Sequence, residues 1–349
     1  MKTFPGISAG RLQELISRFT AQRLAVLGDF FLDKYLDTDP ELAETSVETG
    51  RAAHQVIAIR TSPGAAGTIV NNLASLGAGE VHALGVRGDD GEGYDLEKAL
   101  AGRGCRTGDL MVVPGRFTPT YLKPRNMREP GLAGEHDRYD TKNRTPMLRD
   151  AEDAVLERLE RLLPRLDAVA VEDQVEEADC GVVTTRVRAR LAEIGRLHPE
   201  KVIWADSRSR SGLFRNVVIK VNAREALKRV FRPGANEPED ADVVRAMAGL
   251  RARTGRPVFV TAGTRGVWVS DPAPALVRAV RVPEPTDPTG AGDSATAGAL
   301  LALCAGATPP EAALVANLVA SITVQQLATT GTARPDELGP RLEMWLSQA

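Results

Sequence analysis

Cysteine, histidine and aromatic residues are all scarce in this chain. Three cysteines (Cys105, Cys180, Cys304) and four histidines (His54, His82, His136, His198) are scattered through 349 residues, with no Cys-x-x-Cys spacing. That pattern excludes a disulfide framework and a zinc set of the usual spacing, and it fits a reducing cytoplasm. An excess of charge is lacking too: the formal net charge of -2 exerts no general pull on polyanions, so no nucleic-acid partner is expected. No run approaches the ~20 apolar residues needed to cross a bilayer, and the first residues, MKTFPGISAGRLQELISRF, have no unbroken apolar core of the signal-peptide kind. Leu12, Leu15, Ile16 and Phe19 instead fall at helical spacing, so no membrane partner is expected. Three nucleotide signatures are also missing: G-x-x-x-x-G-K-[ST], a G-x-G-x-x-G after the first strand, and the protein-kinase set.

What the chain does have is 43% hydrophobic residues, laid out as short apolar runs alternating with helical stripes. LAVLGD (24–29), VHALGV (81–86), DAVAVED, KVIWADS, VVIKVN (217–222) and PVFVTAG (257–263) are apolar on both faces, as strands of a parallel sheet covered on both sides must be. Helical stripes separate them, as at Val155, Leu159, Leu162, Leu163 and Leu166. The expected architecture is α/β: a single three-layer, doubly wound, mostly parallel sheet over residues 1–349. Residues 34–62 and 108–140 break the rhythm with Thr, Val, Tyr and Pro, and they are expected to leave the core as a small β-strand lid. Long surface loops are the alternative, although structureless insertions of that length are uncommon.

The chemistry concentrates in EPTDPTGAGDSATAGAL, residues 284–300. A strand running into Asp287 and a small-residue helix from Ser294 place Gly290, Ala291 and Gly292 at a helix N-terminus. Backbone N–H groups are unpartnered there, and small side chains let an anion approach them. Asp293 follows in the first turn, where a carboxylate can take a proton from an attacking hydroxyl. A general base beside an anion hole is the minimum apparatus for moving a phosphoryl group onto an alcohol. Taken alone, the same residues also describe a glycine-rich turn capped by an aspartate. Asp29 and Asp33, in GDFFLDKY, stand at the carboxyl end of the first strand, where open α/β sheets bind ligands and where carboxylates suit sugar hydroxyls.

With these pieces in view, D-P-T-G-A-G-D followed by a small-residue helix closely resembles the second signature of the ribokinase-like (PfkB) carbohydrate kinases. Further segments follow in that family's order: GDFFLD, SPGAAGTIVNNLASLGA (62–78), GVRGDDGEG (85–93), NAREA (222–226), VTAGTRGVWV (260–269) and Asn317. GDFFLDKY and PTYLKPR (119–125) look most like the D-glycero-β-D-manno-heptose 7-phosphate kinase branch. The resemblance implies Asp293 as catalytic base and Gly290, Ala291 and Gly292 as the hole for the transferring phosphoryl group. It further implies ATP and Mg2+ as cosubstrate and cofactor, with Asn222 and Glu225 near the Mg-bound phosphates and Glu225 reaching the metal through water. Thr261, Gly263 and Gly266 would line the ATP site, with Asn317 near adenine. Asp287 would hold a monovalent cation such as K+, and Asp33, Gly64 and Ala65 would face the sugar. A β lid in this family also suggests a homodimer.

Departures from the pattern fall on the acceptor side. Thr68 stands where an asparagine usually meets sugar hydroxyls, and a hydroxyl replaces only part of an amide's hydrogen bonding. ELAETSVETG (41–50) is unlike the heptose-kinase lid segment, and EDQVEEAD (172–179) lacks the lysine expected there. Lys123, Arg125 and Arg138 could meet an anionic group on the acceptor, since guanidinium forks suit phosphate. The expected partners are therefore ATP and a sugar or sugar phosphate. Kinases for ribose, a nucleoside, fructose or fructose phosphate, and a non-catalytic sugar or nucleotide binder, stand as alternatives; so does a dinucleotide-dependent oxidoreductase, whose fingerprint is missing. No cytidylyltransferase-like second domain is expected, so a heptose kinase here would be monofunctional.

Overall fold

A computed structural model describes residues 2–129, 131–228, 238–327 and 329–348. Its centre is a ten-stranded sheet. The strands run in spatial order Lys2–Thr3, Ala275–Arg278, Gly266–Val269, Val258–Thr261, Val218–Asn222, Val202–Ser207, Ala168–Asp173, Arg23–Gly28, Glu80–Arg87, Arg106–Val112. The pairs on either side of Gly266–Val269 are antiparallel and the rest are parallel.

Two-residue alternation divides the core. Leu24, Val26, Ala168, Ala170 and Trp204 pack under helices Ala66–Ser75, Ala291–Cys304 and Pro309–Thr323. Their neighbours Ala25, Leu27, Val169, Val171, Ile203 and Ala205 pack under Arg149–Leu162, Thr185–Leu197 and Asp240–Thr254. Both faces are thereby covered, which is why the strand sequences read as unbroken apolar runs. The N-terminal stripe forms helix Ala9–Ser17, with Leu12 and Leu15 buried. Among the described residues no helix is long and apolar enough to cross a membrane.

A second sheet rises from the carboxyl edge of the first. Its four strands lie in the order Tyr139–Thr141, Thr120–Asn126, Phe30–Thr38, Val56–Ala65. The strand Phe30–Thr38 begins one residue after a core strand ends, so the chain passes from core to lid through Asp29 alone. Two sequence boundaries need correction. Residues 106–112 form the outer core strand beside Glu80–Arg87 and are not part of the lid; their RTGDLMV pattern is too polar to read as core because it lies on the sheet edge. The expected strand before Asp287 is confined to Ala275–Arg278, and residues 279–290 run on without regular structure to the turn that starts the next helix.

Candidate active site

Register across the parallel strands builds the floor of the site. Gly28, Glu172, Asp206 and Lys220 are successive partners on four adjacent strands, so they form one row on one face at the carboxyl edge. The three side chains continue the apolar stripe that supports helix Ala291–Cys304. Above the row sits that helix's first turn. Gly290 is its cap at φ 74°, a left-handed conformation that glycine adopts without strain. Gly292 leaves room for the floor: a Cβ there would lie 2.8 Å from Lys220 Nζ.

Electrostatics in this corner are unbalanced. Glu172, Asp206 and Asp293 bring carboxylate oxygens within 4.8 Å of one another. Lys220 Nζ donates to Asp206 Oδ2 at 2.5 Å, and among the described residues nothing hydrogen-bonds to the buried Glu172 Oε2. Burial pushes the Asp293 carboxyl up to about 7; Lys220 opposes that rise and Asp206 adds to it. Burial, with Asp206 and Asp293 beside it, also lifts Glu172 well above the ordinary carboxylate range. A base poised near neutral pH is what proton abstraction from an alcohol requires.

A cleft of about 1590 Å³ opens beside the turn, lined by Ala291, Gly292, Lys220, Asn222, Glu225 and Arg208 among others. Asn222 caps helix Ala223–Ala226: its Oδ1 accepts from Glu225 N at 2.9 Å, while its own N–H donates to Glu225 Oε2 at 2.8 Å. Thr261, Gly263 and Gly266 line the same cleft. Asn317 does too, but its amide N–H groups donate to the Val277 and Arg278 carbonyls at 2.9 and 3.0 Å, so the side chain also ties a helix to the sheet. Asp287 is buried and accepts from Thr289 N at 2.9 Å, which shapes the loop before the turn.

The lid faces this corner with Asp33. Its Oδ1 pairs with Lys123 Nζ at 2.8 Å, and Lys123 also donates to the Tyr35 hydroxyl at 3.2 Å. Gly64 makes room for the carboxylate, since a Cβ there would stand 2.6 Å from Asp33 Oδ2. Ala65 holds φ 50° and ψ −117°, a backbone conformation that strains any residue with a Cβ. Arg138 forms a bidentate pair with Asp140 (2.6 and 2.9 Å) over the Tyr121 ring, and Arg125 donates to the Glu129 carbonyl at 3.3 Å.

Two acceptor-side expectations are corrected. Asp29 accepts three backbone N–H bonds, from Gln174, Val175 and Val182 at 2.7–2.9 Å, and is 3% exposed; it clasps the 174–182 loop and leaves no oxygen free for a sugar. Thr68 is 1% exposed, with its hydroxyl directed to the Pro63 carbonyl at 3.4 Å and its methyl 3.2 Å from a Cβ position on Gly290, so it packs the turn instead of lining a pocket. Conversely, Glu172, Asp206, Lys220 and Arg208 went unflagged in the sequence. The available signal was a charged residue at the end of an apolar strand in AVAVED and VIWADS, and a lysine inside VVIKVN.

Solved structures similar to this chain over nearly its whole length include sugar kinases. Escherichia coli phosphofructokinase-2, in complex with substrates and products, superposes with a TM-score of 0.66 at 17% identity, covering 93% of this chain and 99% of that one. Arabidopsis thaliana ribokinase, complexed with ribose and ATP, gives 0.65 at 16% identity over 92% and 99%. These define the fold as ribokinase-like. The family model for pfkB family carbohydrate kinases matches residues 33–336, and the chain belongs to that family. Among curated relatives, the bifunctional protein HldE of Desulfatibacillum aliphaticivorans is 28% identical over 328 residues. That match covers 92% of this chain and 63% of the relative's length, so the chain spans less than two thirds of it.

Proposed function

We propose that this chain transfers the γ-phosphoryl group of ATP to a hydroxyl of a sugar or sugar phosphate. The observation that carries this reading is Asp293: a carboxyl held near neutral pH by burial, in the first turn of a helix whose Gly290-Ala291-Gly292 start adjoins a large polar cleft. The acceptor hydroxyl would sit between Asp33 and Asp293. Its oxygen forms the new O–P bond as its proton passes to Asp293, and the bond from Pγ to the β-phosphate oxygen breaks. N–H groups of the turn would stabilise charge on the equatorial oxygens.

The cleft suits the nucleotide. Its volume is ample, Asn222 and Glu225 meet it from one strand end, and small residues open both of its glycine turns. Ribokinase relatives of this fold have been solved with ATP or ADP, and an Escherichia coli structure with ATP and Mg2+. Glu225 would hold Mg2+ through water, and the ion when bound neutralises phosphate charge. Escherichia coli phosphofructokinase-2 has been solved with potassium, which supports a monovalent-cation role for the Asp287 loop here.

Likeness to heptose 7-phosphate kinases and the match to HldE proteins support a heptose phosphate as the first acceptor to test. An acceptor phosphate would be met by Arg125 or Arg138; Arg138 would have to exchange Asp140 for it. The lid's outer strand Val56–Ala65 exposes Val56, Ile57 and Ile59 along an edge, which supports a homodimer through the lid. The deciding experiment is ATP consumption over a panel of heptose 7-phosphate, fructose phosphates, ribose and nucleosides. Turnover of a sugar or sugar phosphate is expected. Activity on unphosphorylated sugars alone would remove the roles given to Arg125 and Arg138, and none on any acceptor would overturn the kinase reading.

A further inference from the structure

Lys220 is the one cation in the carboxylate row, and neither the capping box of Asn222 and Glu225 nor the Asp293 base accounts for it. A lysine in the middle of a buried parallel strand is costly unless paired. Asp206, its register partner, supplies the pairing at 2.5 Å. The ammonium has three donors, and among the described residues only Asp206 accepts from it. It also lines the cleft, and Nζ is the first atom that a Cβ on Gly292 would meet, at 2.8 Å. The charge therefore lies directly against the turn where an anion would rest.

We propose that Lys220 is a further catalytic residue of this site, giving its two remaining N–H donors to the phosphoryl group in transit across Gly292, with Asp206 holding the ammonium in place. The inference rests on the kinase reading above. Its electrostatic logic is local. Glu172, Asp206 and Asp293 crowd the floor with negative charge, and an incoming phosphate would be repelled by it. A fixed ammonium at the same point offsets part of that negative charge where charge spreads over the equatorial oxygens, and it needs no reorganisation during the reaction. The same charge favours ionised Asp293, so Lys220 also keeps the base ready. Arg208 adds a second, more distant cation to that balance, while Glu172, Asp206 and Asp33 oppose it.

The test compares ADP with ADP plus fluoroaluminate, a mimic of the phosphoryl group in transit, by titration calorimetry with Mg2+ present. Wild type is expected to gain affinity from fluoroaluminate. Lys220→Gln should bind ADP alone within threefold of wild type and lose at least tenfold of the gain. Lys220→Arg keeps the charge and should retain most of the gain; if the Gln variant does not fold, loss of the gain in the folded Arg variant contradicts the proposal. Equal gains in wild type and Lys220→Gln, or no gain in a wild type that binds ADP, overturn it while leaving nucleotide binding intact. Failure of wild type to bind ADP at all overturns the kinase reading and this inference together. In turnover, Lys220→Gln should lower kcat by roughly a hundredfold or more and move its acid limb to higher pH as Asp293 loses the neighbouring charge.

Discussion

The lid and the core edge treat charge in opposite ways. On the lid, cations and carboxylates are matched: Lys123 with Asp33, Arg60 with Asp37, Arg128 with Asp39, Arg138 with Asp140. At the core edge three carboxylates share Lys220, and burial, with Asp206 beside it, lifts the proton affinity of Asp293 far above that of an ordinary aspartate. A balanced surface holds its shape at any pH near neutrality and suits recognition and closure. An unbalanced corner at the edge of a cleft, with its carboxyl groups shifted from their ordinary range, is the usual mark of chemistry.

Substitutions at the two regions should therefore fail differently. The largest effect is expected at the core edge: Gly292→Ala puts a methyl against Lys220 Nζ and into the anion turn, and should lower kcat by roughly a hundredfold while the melting temperature stays near that of wild type. Next comes the lid pair. Asp33→Ala strands Lys123 with its charge buried, and a loss of about 3 kcal/mol in denaturant unfolding is expected. The double variant Asp33→Leu, Lys123→Met removes both charges and should recover that stability, yet raise the acceptor KM; an unchanged KM would deny Asp33 its acceptor role. A smaller effect falls where lid joins core: Ala65→Gly relieves the strained cap at φ 50° and should add about 1 kcal/mol. The smallest belongs to the lid's outer face, where Arg128→Ala should leave both the denaturant midpoint and the kinetics indistinguishable from wild type.

The same contrast explains what the sequence disclosed. Local signals carried the fold: apolar runs gave away buried parallel strands, and Pro288 to Asp293 announced a helix start open to anions. The row of Glu172, Asp206 and Lys220 was hidden because its members lie 14 to 48 positions apart and meet only through strand register. Asp29 misled for a related reason. A carboxylate just past a strand looks like a ligand for substrate, but the neighbouring strand Ala168–Asp173 ends in a loop whose N–H groups claim it. Thr68 shows the reverse of a conservative reading: the hydroxyl that could have met a sugar turns inward because its methyl fills the space beside Gly290. The lid boundary at 108 failed on polarity, since an edge strand such as Arg106–Val112 has only one neighbour and can afford exposed residues.

The central claim is that Asp293 accepts the proton of the acceptor hydroxyl, and the pH dependence of kcat in wild type and Asp293→Asn tests it most directly. A base must be ionised to act, so wild-type turnover should be full above about pH 7 and fall as pH drops through that value. Asp293→Asn should remain folded, lose at least roughly a hundredfold in kcat, and show no such acid limb. Near-normal turnover in that variant, with the acid limb still in place, would contradict the account.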